Sequence, residues 1–218
     1  MAIARDAQST AKTSASGTVT ATHVCTGANL LLLAYVVDSS GVNDNVTGVT
    51  YNGVAMTQLV KQQTYKKLYI YGLVAPATGS NSLIASRTNT TGDFVVIGSS
   101  YTGVSQTSLP DATGSNSLGS TGSIGTSVTT VANNCWAFLG VDNGGSATIT
   151  ASTNATLVAT QATDITSAFD NQTAGAITPA GAFSMTTTNG SSVDTNSVVV
   201  SFAPPGTNVQ PSFLFNII

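Results

Sequence analysis

The sequence predicts an all-β protein, an antiparallel, jelly-roll-like β-sandwich with about eleven or twelve short strands. Short runs rich in valine, threonine and aromatic residues alternate with turn residues, and no window sustains the 3.6-residue period of an amphipathic helix. Charged residues make up only 7% of the chain, so serine, threonine and asparagine supply most of its polarity. With 218 residues, the chain is long enough to bury a sizeable core.

The first elements follow from residue alternation. Residues 1–16 are polar and aperiodic, and we expect them to form an extended N-terminal arm or a disordered leader. The next stretch, GTVTATHV, alternates threonine with Val19, Ala21 and His23, which predicts a strand with one buried face. Because His23 shares its face with apolar residues, a packed and hydrogen-bonded histidine is a better interpretation than a catalytic base.

The run NLLLLAYVV (29–37) is apolar on both faces, which predicts a strand covered on both sides. One face carries Leu31, Leu33 and Tyr35, and the other carries Leu30, Leu32 and Val36. After a loop, Asn52-Gly53 lies between two alternating arms, 46–51 and 54–60. This pair is the strongest short signal for a hairpin, because a type I′ turn needs positive φ at both central positions.

A further strand is expected over 64–74, with two more before Pro110 and six candidates after the Gly/Ser-rich stretch 111–126. That stretch could link two domains, but a long loop within one sandwich is the preferred interpretation. The predicted organisation is therefore a single β-sandwich domain over 17–203.

Residues 204–218 predict a C-terminal docking arm. Pro204-Pro205 cannot continue a central strand, because proline donates no ladder hydrogen bond. Five large apolar residues follow a short spacer: Phe213, Leu214, Phe215, Ile217 and Ile218. Left in water they would be a solubility liability, so we expect them to dock on a neighbouring subunit or a shell beneath it. The alternative is that the arm folds back on its own domain.

Motifs for catalysis are missing from the sequence. It has one histidine, two isolated cysteines (Cys25 and Cys135), no G-x-S-x-G elbow and no phosphate-binding glycine loop. We therefore expect no enzymatic activity, no catalytic residues and no cofactor, and two buried thiols rather than a disulfide. The formal net charge of −3 argues against nucleic acid as a partner. No run reaches the length of a membrane span, and the first residues lack a signal peptide, which predicts synthesis in a cytoplasm.

Two weaker candidate sites remain. A loop offers oxygen ligands that suit calcium, although without EF-hand spacing, and a hydrogen-bonded turn is the favoured interpretation. Its candidate ligands are Asp38, Asn43 and Asp44. The second site is a stripe on one strand face that would contact a glycan or another subunit, unless this face is itself core. Its residues are Tyr65, Lys67, Tyr69 and Tyr71.

The order of segments from HVCTGANLLLLAYVV through VTYNG to DFVVIGSSYTGV, about residues 17–110, resembles a group of jelly-roll-like β-sandwich domains of tailed-phage virion proteins and metagenomic viral or surface proteins. The resemblance implies a non-enzymatic structural module in the virion, most directly a capsid decoration or head-fibre subunit. We expect this subunit to assemble through the second apolar faces of its sheets, which it offers to neighbouring copies, and through the C-terminal arm. Expected partners are copies of itself, as a trimer by analogy, and a major capsid or other virion protein. The alternatives are a carbohydrate-binding adhesin or tail module with a host glycan as partner, and a subunit of a cellular surface lattice.

Overall fold

The fold was analysed in a computed structural model that describes residues 2–107, 110–145, 147–161 and 166–206. These residues form antiparallel β-sheets and contain no α-helix. The strands are β1 (Ala4–Ser14), β2 (Thr18–Cys25), β3 (Leu31–Asp38), β4 (Val46–Tyr51), β5 (Val54–Ala55), β6 (Thr57–Gln62), β7 (Lys67–Val74), β8 (Gly79–Arg87), β9 (Asp93–Thr102), β10 (Ala112–Thr129), β11 (Trp136–Asn143), β12 (Ile149–Ala151), β13 (Thr156–Gln161), β14 (Thr166–Asp170) and β15 (Ala182–Phe202).

Three sheets are stacked. The central sheet has the strand order β1-β9-β3-β7-β6, and the front sheet has the order β2-β8-β4-β5. The back sheet has the order β10-β15-β11-β14-β13, and β12 also pairs with β15. The all-β, antiparallel prediction is therefore confirmed, with a third sheet added to the expected sandwich.

Strand β3 lies in the middle of the central sheet and is fully buried. Leu31, Leu33 and Tyr35 pack toward the back sheet in one apolar cluster. Leu32 and Val36 pack toward the front sheet in another. The predicted double coverage of this strand, and the assignment of its two faces, are confirmed.

The predicted hairpin is also confirmed. Asn52 has φ 49° and Gly53 has φ 76°, and Tyr51 pairs with Val54 across this two-residue turn. Positive φ at both central positions is what a type I′ turn requires. The second arm then divides near Met56, so that β5 stays in the front sheet while β6 joins the central sheet.

The sequence suggested a separate N-terminal arm, but the N-terminal residues do not form one. Residues 4–14 are β1, an edge strand of the central sheet that pairs with β9 from Ala4 to Ser14. Polar side chains such as Arg5, Asp6 and Ser9 make many of its contacts with the rest of the chain, so its sequence shows no clear apolar alternation.

The Gly/Ser-rich stretch 111–126 is not a loop, contrary to our preferred interpretation. It lies in β10, which pairs with β15 along almost its whole length and folds back over the outer face of the back sheet. A side chain at Gly114 would collide with the backbone carbonyl of Ser127. Small residues are therefore needed here because two backbones come into contact, and not because the chain is irregular.

Candidate functional site

A β-bulge in β1 brings carboxylate, hydroxyl and imidazole side chains together. The pairing with β9 shifts register between Arg5 and Gln8, as expected when one strand carries an extra residue. The shift brings the Asp6 carboxylate to 2.7 Å from Ser100 Oγ and 2.9 Å from the backbone nitrogen of Thr26.

His23 lies between two serine hydroxyls in this cluster. Its Nδ1 is 2.9 Å from Ser9 Oγ, and its Nε2 is 3.1 Å from Ser100 Oγ. Because Ser100 donates its proton to Asp6, it accepts a hydrogen bond from His23 Nε2–H. Nδ1 is then the acceptor for the Ser9 hydroxyl, so the bonds run in one direction from Ser9 to Asp6.

Burial holds His23 in its neutral form. Desolvation lowers the pKa of His23 from its usual 6.5 to about 4, against a smaller opposing effect of Asp6. His23 is completely buried, and Ser100 is 1% exposed. The prediction of a packed, hydrogen-bonded histidine is confirmed, and the cluster ties β1 to β2 and β9.

A second polar anchor ties β1 to the back sheet. Arg5 donates from Nε to Asp170 Oδ2 at 2.5 Å and from Nη2 to Asp170 Oδ1 at 3.0 Å. Asp170, at the end of β14, is completely buried. This two-bond geometry is the strong form of an arginine–carboxylate pair. The sequence analysis missed both anchors because it placed Arg5, Asp6 and Ser9 outside the domain.

The candidate calcium ligands do not converge. Asp38 is fully buried and pairs with Arg87 Nη1 at 2.6 Å, and it also accepts hydrogen bonds from Asn45 and Ser40. Asp44 is exposed and pairs with Lys61. Asn43 is exposed. The candidates are thus spread over separate contacts, and the described residues hold no group of three histidine, cysteine or acidic side chains that would bind a metal.

The tyrosine stripe is not an exposed surface. Tyr69 and Tyr71 are 1% and 4% exposed and pack between the central and front sheets. Lys67 is buried and donates to the backbone carbonyls of Gln63 and Tyr65. Tyr65 is half-buried. Lys67, Tyr69 and Tyr71 are therefore buried in the core, the alternative that the sequence left open.

The charged side chains find their partners inside the chain. Five of the basic residues pair with aspartates: Arg5 with Asp170, Lys12 with Asp93, Lys61 with Asp44, Lys66 with Asp142 and Arg87 with Asp38. The remaining aspartates among the described residues accept backbone N–H groups: Asp6 from Thr26, Asp111 from Val131 and Ala132, and Asp194 from Ser120. Lys67 donates to two backbone carbonyls, so each of these charged side chains has a polar partner within the chain.

One sheet face is free of charge altogether. What we call the hydroxyl face is the set of outward hydroxyl side chains on β2, β4 and β8, beside the exposed Val24: Thr18, Thr20, Thr22, Thr50, Ser80, Ser82 and Ser86. Ile84 lies in its middle, between Thr20 and Thr50 in register. Arg87 is the only charged residue in the four strands of this sheet, and it points inward and is buried.

The remaining predicted site residues have two outcomes. Phe213, Leu214, Phe215, Ile217 and Ile218 lie outside the described residues. Cys25 and Cys135 are free and buried in different apolar clusters, which confirms the prediction of two buried thiols.

The described part of the chain contains no helix of the length and apolarity that a membrane crossing requires. No protein family, curated protein or solved structure matches the chain.

Proposed function

We propose that this protein is a non-enzymatic structural subunit of a tailed-phage virion, a capsid decoration or head-fibre protein that works by assembly. The observation that carries the proposal is the sparsely charged exterior: most basic side chains pair with aspartates of the same chain, and the outer face of the front sheet presents only hydroxyl and apolar groups. The relationship to jelly-roll domains, which the resemblance implies, is also part of this proposal.

A sparsely charged exterior favours dense packing of identical subunits. Copies that carry unpaired charge of one sign repel each other at close range, whereas hydroxyl groups both donate and accept hydrogen bonds. The hydroxyl face is also built on a sheet that is fixed from behind by the central sheet. We therefore assign contacts between neighbouring copies to the hydroxyl face, with a trimer as the expected assembly by analogy.

The apolar faces of the sheets do not take this role, although the sequence analysis had offered them to neighbouring copies. The three apolar clusters are buried between the sheets and under the folded-back β10–β15 pair of the same chain. We propose instead that the apolar residues 213–218 attach the subunit to a major capsid or other virion protein.

The proposed lack of enzymatic activity is supported by the state of the only histidine. His23 is neutral, and both of its ring nitrogens are engaged by serines. The hydroxyl of Ser100 is committed to Asp6. The cluster is therefore used to hold β1 in place.

The experiment compares two lysine substitutions at exposed threonines. Thr20→Lys adds a charge to the hydroxyl face, whereas Thr153→Lys adds the same charge in a loop beyond the back sheet. Self-association is measured by sedimentation velocity, and attachment by cosedimentation with phage heads that lack the subunit. We expect Thr153→Lys to behave as the wild type and Thr20→Lys to lose self-association. If Thr20→Lys assembles and attaches normally, the hydroxyl face is not the contact.

A further inference from the structure

An amine, a carboxylate and a side-chain amide meet where the central and back sheets pack together. Asp142 in β11 and Asn196 in β15 lie directly opposite each other in register, and both are completely buried. Lys66, in the connection between β6 and β7, contacts both of them. Its Nζ lies 3.6 Å from Asp142 Oδ1, and its backbone carbonyl accepts a hydrogen bond of 2.7 Å from Asn196 Nδ2.

The surroundings of these groups are largely apolar. Asp142 and Asn196 lie on the same sheet face as Phe138 and Val198, which belong to the apolar cluster between the central and back sheets. The Lys66 side chain is only 20% exposed. Asn196 Oδ1 is buried and accepts no hydrogen bond from the residues that the structure describes. A buried amide oxygen without a donor is unusual in a folded protein and calls for an explanation.

We propose that Lys66 and Asn196 become joined by an isopeptide bond that the folded chain forms by itself, with Asp142 transferring the protons. A lysine amine becomes a nucleophile when it is desolvated and loses its proton, and the neighbouring Asp142 carboxylate can accept that proton. Because Asp142 lies opposite Asn196, the resulting carboxylic acid can donate to Asn196 Oδ1 and polarise the side-chain carbonyl.

The reaction exchanges one amide for another. Lys66 Nζ attacks Asn196 Cγ, and the bond from Cγ to Nδ2 breaks. The departing nitrogen takes one proton from Nζ and the proton held by Asp142, and it leaves as ammonium. Asp142 returns to its carboxylate form. The net reaction converts a lysine ammonium and an asparagine amide into an isopeptide bond and ammonium, and it needs no oxidant or cofactor.

The bond would tie the central sheet to the back sheet between residues 130 positions apart in the chain. A cross-link that closes so long a loop stabilises the fold by restricting the unfolded chain. The inference does not depend on the proposed function, because it concerns a single folded subunit.

Mass spectrometry of the denatured full chain tests the proposal directly. The bond removes one ammonia, so we expect a mass about 17 Da below that of the sequence, and fragmentation of a protease digest should show Lys66 linked to Asn196. Lys66→Arg keeps the positive charge but cannot form the bond. The control, Lys61→Arg, changes a lysine that pairs with Asp44 at the surface. We expect the mass loss to disappear in Lys66→Arg and to remain in Lys61→Arg.

Asp142→Asn tests the proton transfer. The mass change of freshly synthesised chain, followed over time, should slow by about a hundredfold or more. An unchanged rate in this variant would overturn the role of Asp142. The bond itself is refuted by a wild-type chain of full sequence mass, which decides the matter even where a variant fails to fold. It is also refuted by a loss that persists in Lys66→Arg, or by a loss of about 18 Da, since water would then have left from Asp142.

Discussion

Replacing His23 with glutamine removes the one histidine of the chain and should change how stability depends on pH. Burial lowers the pKa of His23 from 6.5 to about 4 in the folded protein. The unfolded chain therefore binds the proton first as the pH falls. The contribution of the neutral histidine is complete above pH 6.5, is lost progressively as the pH falls toward 4, and changes no further below that.

The difference between the two pKa values corresponds to about 3 kcal/mol of stability, of which about 2.5 kcal/mol is lost by roughly pH 4.5. Urea unfolding of the wild type and His23→Gln at about pH 7, 5.5 and 4.5 measures this loss. The two proteins share all their aspartates, so the difference between their pH profiles reports His23 together with its small lowering of the Asp6 pKa. Parallel profiles would refute the buried, neutral histidine and the hydrogen-bond cluster built around it.

Three further predictions concern stability. Leu32→Asp and Leu33→Asp should each cost several kcal/mol, because each puts an unpaired charge into a different apolar layer. Gly53→Val should cost about 1–2 kcal/mol through its positive φ alone, since the space around its Cβ is open. Arg87→Met should cost about 3–5 kcal/mol by leaving Asp38 charged and buried, and adding Asp38→Asn should recover much of the loss. Urea or thermal unfolding measures each.

Each of these predictions has a contrary result. If Leu32→Asp left stability unchanged, the front sheet would not cover β3. If Leu33→Asp left stability unchanged, the back sheet would not cover it. An unchanged melting temperature for Gly53→Val would indicate a different turn. A double variant no more stable than Arg87→Met would show that the cost is lost packing, since the guanidinium also lies over the Phe94 ring at 4.7 Å.

Local patterns in the sequence predicted the elements whose contacts are apolar. Strand β3 could be assigned, with its faces, because both sets of alternate residues are large and apolar. The Asn52-Gly53 turn could be assigned because its backbone conformation restricts the residues it accepts. In these two cases the residue types alone are enough to predict the local structure.

Strands β1 and β10 could not be predicted, for two different reasons. Strand β1 is held by polar contacts to residues far along the chain, such as Arg5 to Asp170, and a sequence pattern does not encode such partners. Strand β10 is held by backbone pairing with β15. Its Gly114 lets two parts of β10 come close together where the pair folds back. The candidate site was hidden for the same reason, because the bulge at Asp6 exists only once β1 pairs with β9.

The central claim is that this chain is an assembled part of a phage particle. Electron cryomicroscopy of purified particles, with their chains identified by mass spectrometry, tests it most directly. The account predicts repeated copies of the three-sheet subunit on the particle, with the hydroxyl face at a contact between neighbouring copies. Purified particles that lack this chain would contradict it.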